Sequence, residues 1–458
     1  MVRSCLTIIL AAGNGTRMRS SLPKVLHKVA NLPMVCHILH NISYLDNCDI
    51  KLVLGNNLRQ VQDTVKKYLA NNSDKFSSID VSFCQQNEPL GTAHAALAAL
   101  SDTVKNYDDI IVCFGDTPLI RQKDLEKARK SLSNGVDVAV LGFNAYNPTG
   151  YGRLIVQNDK LIGIVEENEA TVEQKQLKFC NGGIMAINGN IALKLLLEVK
   201  NNNNKGEYYL TDLVKIANSH NYNVEAIEVE AKSVMGVNTP LQLNEIEDIW
   251  QNNKRAELLE AGILMQDAKS IYFSFDTIIE PGAKLETNIY FAPKCYIETG
   301  AYIKSFCHIE GSKIKTGAQV GPFARLREGT ILENDSKVGN FCEIKEANIA
   351  AFSKINHLSY IGNAAVGAKT NIGAGVITCN YDGVNKWTTI IDENVFIGSN
   401  CSLVAPVNIG AGSYVASSSI VTDNVPKNAL AIGRAKQINK VNYALKIREK
   451  INSIKKRI

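Results

Sequence analysis

The 458-residue chain contains no apolar run approaching the ~20 residues that a membrane-crossing helix needs. An integral membrane segment is therefore not expected. It has no Cys-x-x-Cys pair and no His/Cys cluster at zinc spacing, which removes zinc ribbons and dithiol redox motifs. Its eleven cysteines are scattered and read as reduced thiols, so a cytoplasmic location is expected. Strong charge of one sign is also missing: the formal net charge is +5. No nucleic-acid partner is expected on that balance. The basic stretch from Lys446 to Arg457 reads as a solvated helix face or frayed end, with contact to nucleic acid or anionic lipid as the other reading. A secretory signal is not expected either. The apolar run Leu6–Leu10 leads into Gly13-Asn14-Gly15-Thr16-Arg17 and not into a cleavage site, so it reads as a buried first strand.

What is present is globular: 45% hydrophobic and 21% charged residues, in a chain long enough for two or three cores. The first ~230 residues alternate strand and helix patterns. Strands are predicted at Leu6–Leu10, Ile50–Leu54, Ile110–Phe114, Val136–Leu141 and Leu154–Val156, and helices at Met34–Tyr44 and Val61–Leu69. This rhythm predicts an α/β, Rossmann-like fold with a mostly parallel sheet. Ligands of such sheets sit beyond the carboxyl ends of the strands, where Gly13–Arg17 and Asp116 fall. Leu241, Leu243, Ile246, Ile249 and Trp250 recur at helical spacing and predict a long connecting helix.

From about Ser270 aliphatic residues recur every six positions, as in Val320, Leu326, Leu332, Val338 and Ile344. Many precede glycine, as in Val338-Gly339 and Ile397-Gly398. A period of six is neither helix nor coiled coil; it is the mark of a parallel β-helix of hexapeptide repeats. Three hexads make a triangular coil, so Val320 and Val338 should stack. Asn380–Glu393 breaks the period and reads as an excursion. The expected organisation is 1–238 nucleotide-handling domain, 239–265 linker helix, 266–435 β-helix and 436–458 basic tail.

Leu10-Ala11-Ala12-Gly13-Asn14-Gly15-Thr16-Arg17 leaves a strand and enters a helical segment. Glycines there let backbone N–H groups approach phosphates, and Arg17 and Lys24 bracket the loop with cations. The run lacks the Gly-Lys-Ser/Thr end of a P-loop and the third glycine of a dinucleotide fingerprint. Asp116 follows an apolar strand. Two roles stay open for it on position alone: a hard oxygen ligand for Mg²⁺, or a helix cap before Pro118.

In the repeat, Lys345 follows Arg327 by 18 residues, one coil, so two cations share a face suited to an anion. Solvated surface cations are the other reading. His357 departs from the repeat's preference for small residues, and imidazole is the natural base for deprotonating an amine near neutral pH.

Together these segments resemble the sugar-phosphate nucleotidyltransferase family. Nearly the whole chain resembles its bacterial bifunctional branch, N-acetylglucosamine-1-phosphate uridylyltransferases joined to glucosamine-1-phosphate acetyltransferases. The resemblance implies a UTP site at Leu10, Ala11, Ala12, Gly13, Lys24, Gln86, Gly91 and Thr92. It places Gly152, Glu166 and Asn181 against the sugar, and Asp116 with Asn238 on the metal. Arg17 and Lys24 would stabilise the transferring phosphate. In the second half it makes His357 the base, with Arg327, Lys345, Tyr360 and Asn371 holding glucosamine 1-phosphate. Asn380, Tyr381, Ala374, Ser399, Ser417 and Arg434 would contact acetyl-coenzyme A. The implied substrates are glucosamine 1-phosphate, N-acetylglucosamine 1-phosphate, UTP and acetyl-coenzyme A, with Mg²⁺. A left-handed coil and a homotrimer are implied too. Two other readings are weaker. A one-activity enzyme with a β-helix scaffold has no need of His357, Arg327 and Lys345. A non-enzymatic regulatory subunit with these two folds should have lost Arg17, Lys24 or Asp116.

Overall fold

The computed structural model describes residues 3–13, 15–55, 58–158 and 160–455. Asn14 of the glycine-rich turn, and Lys456 and Arg457 of the basic tail, lie outside the described residues. The chain divides into two compact units, 1–254 and 255–458.

The first unit is built on β1 (Cys5–Ala11), β2 (Cys48–Leu54), β3 (Val81–Gln85), β4 (Asp109–Phe114), β5 (Val138–Asn144), β6 (Arg153–Gln157), β7 (Lys160–Val165), β8 (Phe179–Asn188) and β9 (Val224–Glu228). The sheet order is β9-β5-β8-β4-β1-β2-β3, with the β6–β7 hairpin joined to β8. Every residue of β1 is buried. That is the pattern of a central parallel strand covered on both faces. Alternate residues divide between two apolar clusters, Ile9 with Ile111 and Cys113 on one, Ile8 and Leu10 with Val112 on the other. Strand β1 pairs in parallel with β2 and β4, whereas β8 runs antiparallel to both β4 and β5. The strand expected at Val136–Leu141 sits two residues later. Gly135 takes φ +95° and the Val136 amide still closes on Ser131, so pairing starts only at Val138. The long helix is present as Pro240–Glu260. Ile246 buries against Met18, Val29, Met34 and Val237.

The second unit opens with Arg255, which is buried. Its guanidinium donates to the Ile271 carbonyl at 2.9 and 3.1 Å and lies over the Tyr272 ring. Beyond it run short parallel strands in two sheets. Gln319 pairs with Lys337 and Lys337 with Lys354, so these two coils consume 18 and 17 residues. Val320 does stack on Val338, in a column that continues through Ile355, Ile372, Ile397 and Val415. All are at most 2% exposed. The strands Glu343–Ile349 and Tyr360–Val366 bend around a corner and each pair with two columns, which joins two of the three faces into one sheet.

The excursion is shorter than its expected span. It leaves after Cys379, but Thr389–Ile391 already pairs with Ala364–Val366 below and Val407–Ile409 above. Thr389 and Ile391 face the core and Ile390 does not, which is strand alternation and not loop. The basic tail forms an exposed helix, Tyr443–Lys455. All eleven cysteines are unpaired, and none of the described helices is long and apolar enough to cross a membrane.

Stacking of aliphatic columns should dominate the stability of the second unit. Ile344→Ala, at a fully buried position between Leu326 and Ile361, should destabilise it by about 2–4 kcal/mol in urea titrations. Ile331→Ala, more than a third exposed, should change it by less than about 0.5 kcal/mol.

Candidate active sites

At the carboxyl ends of β1 and β4 a cavity of about 820 Å³ opens in the first unit. All fourteen residues expected there line it: Leu10, Ala11, Ala12, Gly13, Arg17, Lys24, Gln86, Gly91, Thr92, Asp116, Gly152, Glu166, Asn181 and Asn238. At its floor Lys24 Nζ pairs with the Asp116 carboxylate and donates to Asn238 Oδ1 at 3.1 Å. Arg17 Nη2 donates to the same Asn238 oxygen at 2.8 Å. Asp116 and Asn238 thus aim oxygens at one cation position. Two hard oxygens suit a divalent ion that takes its remaining ligands from water and phosphate. Among the described residues no group of three or more His, Cys, Asp or Glu side chains is arranged for a metal. The Asp116 side chain accepts from Lys24, and the helix that follows starts only at Gln122 with Arg121 as its N-cap, so Asp116 does not cap it.

Asn238 owes its position to the start of the long helix. Gln242 Oε1 accepts from the Asn238 and Thr239 amides at 2.8 and 3.2 Å, and Thr239 Oγ1 accepts from the Gln242 amide. This is a capping box with Pro240 at the first helical position. The Thr239-x-x-Gln242 spacing is the sequence signal for this box.

At the opposite end, Asn181 N donates to Gly152 O at 2.8 Å and Asn181 Oδ1 accepts from Gly183 N at 3.0 Å. The β8 register shifts between Asn181 and Ile184, which turns Asn181 into the cavity wall. Glu166 accepts from Thr211 Oγ1 at 3.1 Å. Burial raises the Glu166 carboxyl above its ordinary range, and the Thr211 bond opposes that only partly. The motif reading gave no role to Thr211 or Gln242, which hold Glu166 and Asn238. Gly91 takes φ +119°, and a Cβ there would lie 2.5 Å from Tyr208 O. Only glycine fits.

In the second unit the structure gathers two groups. The first surrounds one corner. Arg327 and Lys345 lie one above the other, since Leu326 pairs with Ile344. Arg327 Nη1 meets Glu343 at 2.9 Å and Lys345 meets Glu346 at 3.3 Å. Lys345 pairs in register with Gly362, and a Cβ on Gly362 would touch the Tyr360 hydroxyl and Asn380 Nδ2. Asn380 Nδ2 donates to Asn363 Oδ1 at 2.6 Å. The excursion returns Lys386 to 3.9 Å from Glu346. Lys386 is a third cation of this corner that the six-residue period could not reveal, because it lies in the excursion. Asp382 ties that loop, accepting from Val384 N, Asn385 N and Trp387 Nε1 at 2.6–2.8 Å. These bonds, the Trp387 one first, hold its carboxyl down at about 2. Tyr381 is 62% exposed on the loop, its hydroxyl donating to Gly383 O.

The second group runs along an edge. Ile355, Ile372, Ile397 and Val415 are paired in succession. Two residues further along each strand stand His357, Ala374, Ser399 and Ser417, one per coil. At ~4.8 Å per coil this ladder is about 14 Å long. A Cβ on Gly398 would sit 2.4 Å from Ser417 N, so glycine lets the coils close here. Arg434 follows Gly433 one coil beyond Ser417. His357 Nδ1 lies 2.7 Å from Asn340 Oδ1. A carbonyl oxygen accepts, so Nδ1 carries the proton and Nε2 keeps a lone pair. Asn340 is a second residue the sequence reading missed. Asn371 is not brought to either group. It lies at the other end of its face, in a groove of about 700 Å³ with Lys337, Lys354 and Lys369.

A cation-floored cavity at the ends of a mixed sheet, followed by a hexapeptide β-helix with a polar edge, defines a nucleotidyltransferase fused to an acyltransferase-type repeat. The sequence comparisons agree. Residues 7–163 match the MobA-like NTP transferase domain family. The chain is 49% identical over 456 residues to the bifunctional protein GlmU of Bartonella bacilliformis, covering 100% of both chains. It is 53% identical over 453 residues to that of Brucella anthropi, covering 99% of this chain and 98% of that one. A solved structure of a putative glucose-1-phosphate thymidylyltransferase from Bacillus anthracis is similar over 54% of this chain and 95% of that one, at 22% identity and TM-score 0.44. The chain belongs to the family of bifunctional GlmU proteins.

Gln242→Ala should free the start of the helix at Pro240 and lower the stability of the first unit by about 1 kcal/mol, read from its denaturant midpoint.

Proposed function

We propose that this chain catalyses two successive transfers in the cytoplasm: it acetylates glucosamine 1-phosphate with acetyl-coenzyme A, then joins the product to UMP from UTP. The final products are UDP-N-acetylglucosamine and pyrophosphate, and the sugar nucleotide feeds cell-wall and lipopolysaccharide synthesis. The observation that carries the two-activity reading is the His357–Asn340 pair on the β-helix edge, because a scaffold needs no oriented base.

In the first unit (1–238 on the expected boundaries) a phosphate oxygen of N-acetylglucosamine 1-phosphate attacks the α-phosphorus of UTP in line, and pyrophosphate leaves. The attacking oxygen is already ionised, so no general base is required. Arg17 and Lys24 offset the charge that builds on the transferring group. Gln86, Gly91 and Thr92 hold the nucleobase, and Gly152, Glu166 and Asn181 hold the sugar. Asp116 and Asn238 would hold Mg²⁺, which would withdraw charge from the phosphates. Lys24, paired with Asp116 in the cavity, offers its ammonium to the phosphate oxygens.

In the β-helix (266–435), Arg327 and Lys345, with Lys386, neutralise the phosphate of glucosamine 1-phosphate, and Tyr360 and Asn380 line the sugar. His357 Nε2 takes a proton from the 2-amino group as its nitrogen bonds to the thioester carbonyl. The C–S bond breaks and the thiolate of coenzyme A leaves. Ala374, Ser399, Ser417 and Arg434 give the coenzyme an extended edge, and the exposed Tyr381 contributes a further contact to it. A homotrimer accounts for Asn371, which serves a site completed by a neighbouring copy. The segment expected as linker, 239–265, holds the helix Pro240–Glu260, and no role is assigned to the tail, 436–458.

The test is a pair of substitutions read by two assays. Asp116→Ala should reduce pyrophosphate release at least 10³-fold and leave free-thiol release within about twofold. His357→Ala should lower thiol release at least 10²-fold and leave pyrophosphate release from supplied N-acetylglucosamine 1-phosphate intact. Equal loss of both activities in a folded Asp116→Ala protein, or full thiol release by His357→Ala, would overturn these assignments.

A further inference from the structure

Gln86 is 6% exposed, and its amide is held by two partners. Nε2 lies 3.1 Å from Gly91 O and 3.1 Å from His94 Nδ1. A carbonyl can only accept, so the Gly91 bond identifies Nε2 as the NH₂ group. Its second hydrogen then points at His94, and Nδ1 must be the acceptor. His94 is therefore in the tautomer that carries its proton on Nε2. Both Gln86 donors are spent inside the protein, neither bond uses Oε1, and Gln86 lines the cavity. Gly91 and Thr92 line it too. Among the described residues nothing accepts from their N–H groups. The wall therefore offers one side-chain acceptor among backbone donors. That pattern complements an imide edge, carbonyl–N–H–carbonyl, as in uracil. It mismatches cytosine, whose ring nitrogen is an acceptor beside an amino donor.

We propose that His94 is a specificity-determining positioning residue: it locks the Gln86 amide so that its oxygen, and not its NH₂ group, faces the pyrimidine. His94 does not line the cavity, and it acts only through Gln86. The ring itself is steadied by Tyr208, 6.2 Å away at 33°. A flipped amide would set its oxygen against Gly91 O, and His94 would have to move its proton from Nε2 to Nδ1 to meet it. With His94 removed, only the Gly91 carbonyl resists the flip. The proposal rests on the uridylyl-transfer reading of this cavity.

The experiment measures kcat/KM for UTP and for CTP with N-acetylglucosamine 1-phosphate, on full-length wild type, His94→Leu and His94→Asn. The denaturant midpoint of the first unit, which holds His94, reports that each is folded. Removing one neutral hydrogen bond should lower the UTP/CTP ratio of His94→Leu by roughly three- to tenfold. His94→Asn, whose side-chain oxygen can take the place of Nδ1, should keep the ratio within about twofold of wild type. A wild-type ratio in His94→Leu, or equal loss in both variants, would sink the proposal. Wild-type protein that turns over neither nucleotide would instead overturn the uridylyl-transfer reading itself.

Discussion

Parallel strand pairing is the constraint on which both halves of this molecule depend. Parallel neighbours bring like ends together, so whatever follows one strand lies beside whatever follows the next. In the first unit β1 ends at the glycine-rich turn and β4 ends at Asp116, two segments some hundred residues apart that share one cavity. In the second unit the same rule acts without crossover helices. Each coil is its own crossover, and a residue type repeated at one position becomes a line of groups ~4.8 Å apart. The His357–Ser417 edge and the Arg327–Lys345 pair are both consequences of register.

Electrostatics refines what register assembles. Five of the cations placed at the sites have partners that hold them at defined points: Lys24 by Asp116 and Asn238, Arg17 by Asn238, Arg327 by Glu343, Lys345 and Lys386 by Glu346. Long flexible side chains lose rotamer freedom when they bind an anion. A partner that restrains them beforehand reduces that loss. None of these pairs is fully buried, so their net contribution to stability is modest and their value lies in placement.

Much of this was legible from residues alone. The period of six is a geometric necessity of the coil, and Val320 over Val338 followed from it directly. All fourteen residues expected at the first cavity line it, because their motifs sit at strand ends, where a parallel sheet gathers them. What escaped has physical reasons. The β8 strand's antiparallel run depends on long-range pairing and leaves no local signal. Asn340 and Lys386 act across coils or from a loop, so their neighbours in space are remote in sequence. The excursion is shorter than the period suggests, because Ile391, six residues before Ile397, is already back in the ladder. Asn371, expected beside the sugar, faces another groove of its own chain.

The excursion at 380–388 lengthens one coil so that Asn371 pairs with Phe396, yet the coils on either side keep their pairing. Pitch is set by the backbone ladder, and the ladder does not register how much chain lies outside it. The scaffold therefore works like a printed circuit with a socket. A graft at that point, of other length or composition, could be exchanged without rewiring the column beneath. For a protein engineer, this is where a new specificity could be installed in the repeat half while its core is left alone.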